Sequence, residues 1–303
     1  IFICFTTVIY CHFFLLLYYI HSRGESGERV VKSSKQIKYE RSPSASQLHI
    51  LNIIYTFRFA NRTLLSQYLQ KPNNSSLYFK LEVLAKHEFL GKRYDKSYRL
   101  AGREAEYYVL PKGLRALRDS AHLGVTNSMV TANYRDKTAS DAFVHEQLLL
   151  FAIRNQLVQA HPGLQYFTDR DVQLLDYFPR PLPRGFISLK QQDEDAKRFF
   201  VEYLPARTHT RKIVGRLQQY VKYYESEVWN ITNTPSPAIL YVCADTMTER
   251  GLQRYIARTA NNTEVELNIY TTTEKALLNL QPSHTTIWTG IDNTDDLLAL
   301  SDT

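Results

Sequence analysis

Apolar residues recur at helical spacing in two stretches of the first half of the chain. The first stretch, residues 47–59, has one apolar face. The second is residues 76–90, and its buried face is predicted to carry Leu77, Leu81, Leu84 and Ala85. Between them, Asn61 stands before RTLLSQYL and is a residue type that caps helix N-termini. We therefore predict three consecutive helices.

Two extended segments follow these helices. GKRYDKSYR and EAEYYVLP are separated by the Gly-containing turn LAGRE, and a last helix begins at Pro111. Three helices followed by a hairpin predict a winged helix-turn-helix over residues 44–120. In such a unit the third helix enters the DNA major groove, while the hairpin, or wing, contacts phosphates. Residues 1–43 are then an apolar leader and a basic linker.

The second half of the chain has a different succession of predicted helices and strands. After a polar connector, residues 121–138, comes a long amphipathic helix and then three extended segments, 165–178, 185–190 and 197–205. A helix, the apolar strand AILYVCAD with Cys243, a second helix and the strand VELNIYTTT complete the order. The fold class predicted for the chain is α+β or α/β. Residues 139–303 are predicted to form a mixed α/β domain of the restriction-endonuclease-like kind.

Charge is unevenly distributed along the chain. Residues 21–118 contain 19 Lys and Arg against 8 Asp and Glu, whereas the rest contains 18 against 22. A basic N-terminal half predicts a polyanionic partner, here double-stranded DNA. The candidate DNA-binding residues are Ser75, Ser76, Lys80, Lys86, Lys92, Arg93, Lys96 and Arg99. The alternative is a protein-interaction or homodimer module whose basic residues only keep it soluble.

The nuclease-like half lacks part of the usual catalytic set. Such cores hold a divalent metal with an Asp and a Glu, assisted by a Lys, because Mg²⁺ prefers carboxylate oxygens. Glu202 stands at the expected position, but Arg184 follows Pro183 where the Asp belongs, and Leu204 stands where the Lys belongs. Asp176 is a weak substitute. We therefore expect Glu202 to have a structural role, with no metal, no cofactor and no enzymatic activity; Mg²⁺ enters only under the nuclease alternative.

Residues 1–20 are uncharged and about as long as a membrane span. The basic residues follow this run, which predicts that both domains remain cytoplasmic even if it inserts as an anchor. A competing interpretation is that the leader is never made, because the first methionine is Met129. No cysteine spacing indicates a disulfide framework or a zinc site.

Over roughly residues 45–295 the chain resembles the replication-relaxation family of plasmid and mobile-element proteins. The segments that carry the resemblance are SSLYFKLEVLAKHEFLGKR, EYYVLPKGLRAL, FVHEQLLLFAIRN, FFVEYLPARTHTRKIVGRLQQYVKYY, NIYTTTEKALLN and TTIWTG. The resemblance implies a bacterial protein of replication or DNA relaxation, with replication or mobilisation proteins as partners. Members often carry Pro-Asp at the place of Pro183 and Arg184 and an acidic residue at Leu204, so only Glu202 carries over.

Three hypotheses follow for the function. The first is a non-catalytic DNA-binding protein with a degenerate nuclease-like domain. The second is a metal-dependent nuclease or nickase that uses Glu202. The third is a winged-helix transcriptional regulator whose C-terminal half senses a signal or dimerises.

Overall fold

The computed structural model describes residues 42–73, 75–120, 134–190, 196–290 and 297–303. Within these ranges the chain is a mixed α+β protein with a two-stranded and a seven-stranded sheet. The predicted α+β class is therefore confirmed at that level. No helix in the described ranges combines the length and the apolar character needed to cross a bilayer. The apolar run 1–20 lies outside them.

Three helices open the described chain, as predicted. Helix α1 is Ala45–Phe57, α2 is Arg62–Tyr68 and α3 is Ser75–Lys86. Helix α1 begins two residues earlier than predicted, because Ser44 and Gln47 form a reciprocal capping box. The predicted cap Asn61 is confirmed, since its side chain accepts a hydrogen bond from the Leu64 amide.

The hairpin after α3 is shorter than predicted. Strands β1, Leu90–Arg93, and β2, Glu106–Val109, pair antiparallel. Between them lies a short helix, α4, Lys96–Leu100. The predicted extension of the first strand to residue 99 is therefore wrong: the Asp95 carboxylate accepts from the amides of Ser97 and Tyr98 and begins a helical turn. Helix α5, Pro111–Asp119, starts at the predicted proline.

The connector between the halves is more ordered than expected. Residues 121–133 lie outside the described ranges, but Tyr134–Thr138 form a 3₁₀ helix whose Asp136 is fully buried. Asp136 accepts a hydrogen bond from Arg58 and lies 3.7 Å from an Arg170 nitrogen. Residues 134–138 thus belong to the packed structure, although their polar composition had predicted a linker.

The long helix α6, Asp141–Ala160, packs against both halves. The Phe151 ring stacks on Phe57 of α1 with centroids 4.0 Å apart, and the Asn155 amide donates to the Leu64 carbonyl of α2. On its other side, Ile153 and Leu157 lie in the core beneath the large sheet. The N-terminal helices and the sheet are therefore joined through one shared helix.

The large sheet has the order β3-β4-β5-β6-β7-β8-β9. Its strands and intervening helices are β3 Leu164–Thr168, α7 Asp169–Val172, β4 Gly185–Leu189, β5 Lys197–Leu204, α8 Thr210–Glu225, β6 Ala238–Cys243, α9 Thr246–Ala260, β7 Ile269–Thr273, α10 Glu274–Leu278, β8 Trp288–Gly290 and β9 Leu297–Leu298. Strands β3 to β5 are antiparallel, β5 to β7 are parallel, and β8 and β9 are antiparallel again. From β3 to β7 this order agrees with the predicted succession of strands and larger helices, whereas α10, β8 and β9 were not predicted.

One predicted strand ends early. Residues 165–178 are extended only as far as Thr168, because Thr168 and Asp171 form a capping box that starts α7. Asp176 consequently lies in an exposed turn and not on a strand. Cys243 is buried in β6, as expected.

Candidate nucleic-acid interface

Helix α3 has one buried and one exposed face. Leu77, Leu81 and Leu84 are packed in the core, which leaves Ser75, Ser76 and Lys86 exposed to solvent. Lys80 is half-buried at the border between the two faces, and the Phe79 side chain is 62% exposed. Within the described chain, no ion pair engages Lys80 or Lys86. The exposed face of α3 thus combines hydroxyls, free ammonium groups and an aromatic ring.

Lys92 on β1 is already partnered. Its Nζ lies 2.6 Å from Oε1 of Glu82 on α3, and the Tyr107 hydroxyl donates to the same oxygen at 2.9 Å. Burial, reinforced by the Glu82 carboxylate, raises the pKa of Tyr107, so its hydroxyl remains a donor at neutral pH. Lys92 therefore fastens the strand to α3 and has less free charge to offer a ligand than its sequence position suggests.

Arg93 is bound on the opposite side of β1. Its guanidinium donates to the Ala139 carbonyl at 2.9 Å, forms an ion pair with Asp141 at the start of α6, and lies 3.6 Å from Glu106. These contacts tie the strand pair to the second half of the chain. These contacts of Arg93 are structural, so its guanidinium is less available to a phosphate than the sequence predicted.

Lys96 and Arg99 lie on α4 and not on the strand where they were predicted. Both are exposed, and no described residue forms an ion pair with either of them. Tyr94, just before α4, and Leu100, its last residue, are 47% and 79% exposed. The loop between β1 and β2 therefore presents two free cations beside exposed apolar side chains.

Glu202 lies on β5 and is buried. Its Oε1 accepts hydrogen bonds from Arg216 Nε at 2.9 Å and from the Tyr220 hydroxyl at 2.6 Å, and it also contacts Arg216 Nη2. Burial lowers the pKa of Arg216, but the Glu202 charge, its hydrogen bond and the neighbouring tyrosines together outweigh it, so the net pKa is raised. Burial, together with Glu202, raises the pKa of Tyr220. This carboxylate is neutralised by a permanent cation from α8.

The side chains at the other nuclease-like positions have partners other than Glu202. Arg184 forms an ion pair with Glu146 of α6 at 2.9 Å, and Leu204 is packed in the apolar cluster beneath α8. Asp176 is in its exposed turn. In the part of the chain that the structure describes, no three His, Cys, Asp or Glu residues are grouped closely enough to hold a metal ion.

Two features of the charged residues were not predicted from the sequence: the partners of Glu202 and the burial of Asp136. A structural role for Glu202 was expected, but its partners Arg216 and Tyr220 were not identified. The signal was their spacing, because residues four apart on the helix that follows β5 face the same side. The burial of Asp136 had no comparable signal, since the residue stands in a polar segment.

Comparisons with protein-family models, with curated proteins and with solved structures found no match for this chain. The resemblance to the replication-relaxation family therefore stays a prediction.

Proposed function

We propose that this chain is a non-catalytic DNA-binding protein that acts in replication or DNA relaxation of a bacterial plasmid or mobile element. In this proposal residues 44–120 are a winged helix-turn-helix, α3 enters the major groove, and α4 with β1 and β2 is the wing. Residues 139–303 are a restriction-endonuclease-like scaffold that serves assembly or partner contact. The protein acts in the cytoplasm.

The proposal rests on one observation: four basic residues on α3 and α4 form no ion pair among the described residues. Lys80, Lys86, Lys96 and Arg99 form no ion pair in the described structure, although acidic residues such as Glu82 and Asp95 are near them in sequence. Ser75 and Ser76 at the start of α3 add hydroxyls where a recognition helix meets base edges. Free cations beside hydrogen-bonding groups suit phosphate and base contacts better than they suit an apolar protein interface.

The pairing of Glu202 with Arg216 and Tyr220 supports the proposal that the protein is non-catalytic. A carboxylate that binds a metal must offer its oxygens to the ion, whereas Oε1 of Glu202 is occupied by Arg216 and Tyr220. Plasmid nicking in Mg²⁺ or Mn²⁺ that disappears in Glu202→Gln would establish the nuclease alternative and overturn the proposal.

Salt dependence of DNA binding tests the proposal. The variant Lys80→Gln/Lys86→Gln/Lys96→Gln removes three of the free cations, so the slope of log K against log salt should flatten by about 2.7, at about 0.9 per phosphate contact. The matched control is Lys137→Gln/Lys190→Gln/Lys275→Gln, which removes three exposed lysines elsewhere and should leave the slope nearly unchanged. Equal slopes for the two variants would contradict docking through α3 and α4.

Footprinting separates the replication role from the regulator alternative, which uses the same DNA-binding unit. Protection at a replication origin is the result we expect. Protection confined to a promoter would instead favour a transcriptional regulator.

A further inference from the structure

A groove of about 590 Å³ lies over the exposed side of α8. Its lining residues are His209, Arg211, Lys212, Gly215, Arg216 and Gln219. Between residues 203 and 224 the chain has five Lys and Arg and no Asp or Glu. Three of these cations line the groove, and two of them, Arg211 and Lys212, are not balanced by a carboxylate among the described residues, even though the second half of the chain has an excess of acidic residues.

The cations of the groove are of two kinds. Arg216 is engaged within the fold, because Nε and Nη2 donate to Glu202, Nη2 also donates to the Tyr220 hydroxyl, and Nη1 donates to the Pro181 carbonyl and to Gln219. Arg211 and Lys212 are exposed, and neither forms an ion pair or a side-chain hydrogen bond with another described residue. These two adjacent free cations suit an anion with several oxygens.

Gly215 in the groove has no packing explanation. It is the sixth residue of α8, and a Cβ built on it would meet no atom within 4 Å. Glycine inside a helix is destabilising relative to alanine, so an unconstrained position gains nothing from it. Close approach of a ligand to the helix backbone is a recognised reason for glycine at such a position.

We propose that this groove binds a phosphate group of a nucleic-acid backbone, and that it is a second DNA contact outside the helices and hairpin of residues 44–120. The inference rests on the proposed DNA-binding function for the source of the phosphate. Arg211 and Lys212 neutralise the group, and Gly215 leaves room for it. Arg216 stays bound to Glu202 and its other partners in the fold.

Charge removal in the full-length protein is the first test. With a short duplex of arbitrary sequence, Arg211→Gln/Lys212→Gln should flatten the log-salt slope by about 1.8, equivalent to two phosphate contacts. The charge-matched variant Lys190→Gln/Lys275→Gln should keep the wild-type slope. A slope that is the same in both variants would overturn the groove as a phosphate site.

The second test is steric and has an internal control. Gly251 is also the sixth residue of its helix, α9, is also half-buried and also has open space around its Cβ position, but it does not line the groove. Gly215→Ala and Gly251→Ala should each raise the melting temperature by about 2 °C. Only Gly215→Ala should weaken DNA binding, with a slope lower by about 0.9. If the two variants bind DNA equally well, close approach at Gly215 is refuted.

The outcomes distinguish this inference from the proposed function. If the α3 and α4 lysine variant flattens the log-salt slope of DNA binding but Arg211→Gln/Lys212→Gln does not, the groove is overturned and the proposed docking through α3 and α4 stands. The reverse result overturns docking through α3 and keeps the groove. If the wild-type protein binds no DNA, tripolyphosphate becomes the probe. A melting temperature that tripolyphosphate raises in the wild type but not in Arg211→Gln/Lys212→Gln supports a site for a free phosphate chain. No rise in the wild type overturns the groove as a phosphate site.

Discussion

The exposed face of α3 and the buried face of β5 both carry residues that the sequence predicts to be functional, but their charges are in opposite states. On α3, Lys80 and Lys86 have no ionic partner in the described structure. On β5, Glu202 is held by Arg216 and Tyr220. The charges of the first region are free, whereas the second region uses its charge within the fold. Residue type and sequence position alone therefore do not distinguish a free charge from a structural one.

The same contrast divides the basic residues of the N-terminal half. Arg93 stabilises the junction with α6, and Lys92 ties β1 to α3, whereas Lys96 and Arg99 on α4 remain free. Changes to paired, buried charges should therefore alter the free energy of unfolding. Changes to free charges should alter binding and leave stability almost intact.

Asp136→Asn should have the largest effect on stability. Asp136 is fully buried between Arg58 and Arg170, and Asp136→Asn removes the charge that faces both guanidiniums. We expect a loss of about 3–5 kcal/mol in the free energy of unfolding, measured by urea denaturation. Asp141→Asn removes the partner of Arg93, but Asp141 is exposed, so a loss of at most about 1 kcal/mol is expected there. Similar losses in the two variants would contradict the distinction between buried and exposed pairs.

Glu202→Gln should have the next largest effect. Glutamine retains an acceptor for Arg216 and Tyr220 but loses the charge, so we expect a loss of about 2–3 kcal/mol in the free energy of unfolding. Glu266 is exposed and serves as the control, since Glu266→Gln should stay within about 0.5 kcal/mol of the wild type. A Glu202→Gln protein as stable as the control would show that the Arg216 contact is not structural.

His161 provides a smaller, pH-dependent effect. It is buried at the end of α6, its Nε2 has no hydrogen-bond partner among the described residues, and burial lowers its pKa from the ordinary value of about 6.5. The unfolded chain therefore binds the proton more readily, and the stability present above pH 6.5 should fall as the pH drops from there towards the folded-state pKa. Thermal melts at several pH values should show a weaker acid dependence in His161→Gln. An identical pH dependence in the two proteins would contradict this assignment.

Lys86→Gln should have the smallest effect on stability. Lys86 is exposed at the end of α3 and forms no ion pair in the described chain, so the free energy of unfolding should change by less than about 0.5 kcal/mol. The DNA log-salt slope should nevertheless flatten by about 0.9. A clear loss of stability in this variant would move Lys86 into the class of structural charges.

The sequence predicted the secondary structure better than it predicted the partners of charged residues. Helical spacing located α1, α3 and α6, and the apolar run of β6 was recognised, because periodicity follows directly from which face is buried. The helical turn α4 was missed, because its start depends on one side-chain contact, the Asp95 cap. The burial of Asp136 depends on tertiary contacts that a single sequence does not contain, whereas the partners of Glu202 had only the spacing of Arg216 and Tyr220 as a signal. The order β3 to β7 was predicted in outline, but β8 and β9 were not predicted, and α7 displaced Asp176 from its expected strand.

Directed DNA cleavage from α3 tests the central claim most directly. An iron chelate attached to Cys at position 76, made as Ser76→Cys with Cys4 and Cys11 changed to Ser, should cleave bound DNA at a few adjacent nucleotides, because Ser76 is exposed at the start of α3. The same chelate at Ser283→Cys, an exposed position in the second half, is the control and should cleave weakly or not at all. Localised cleavage from residue 76 alone is the predicted result. Equal cleavage from both positions, or none from residue 76 while DNA is bound, would contradict the account.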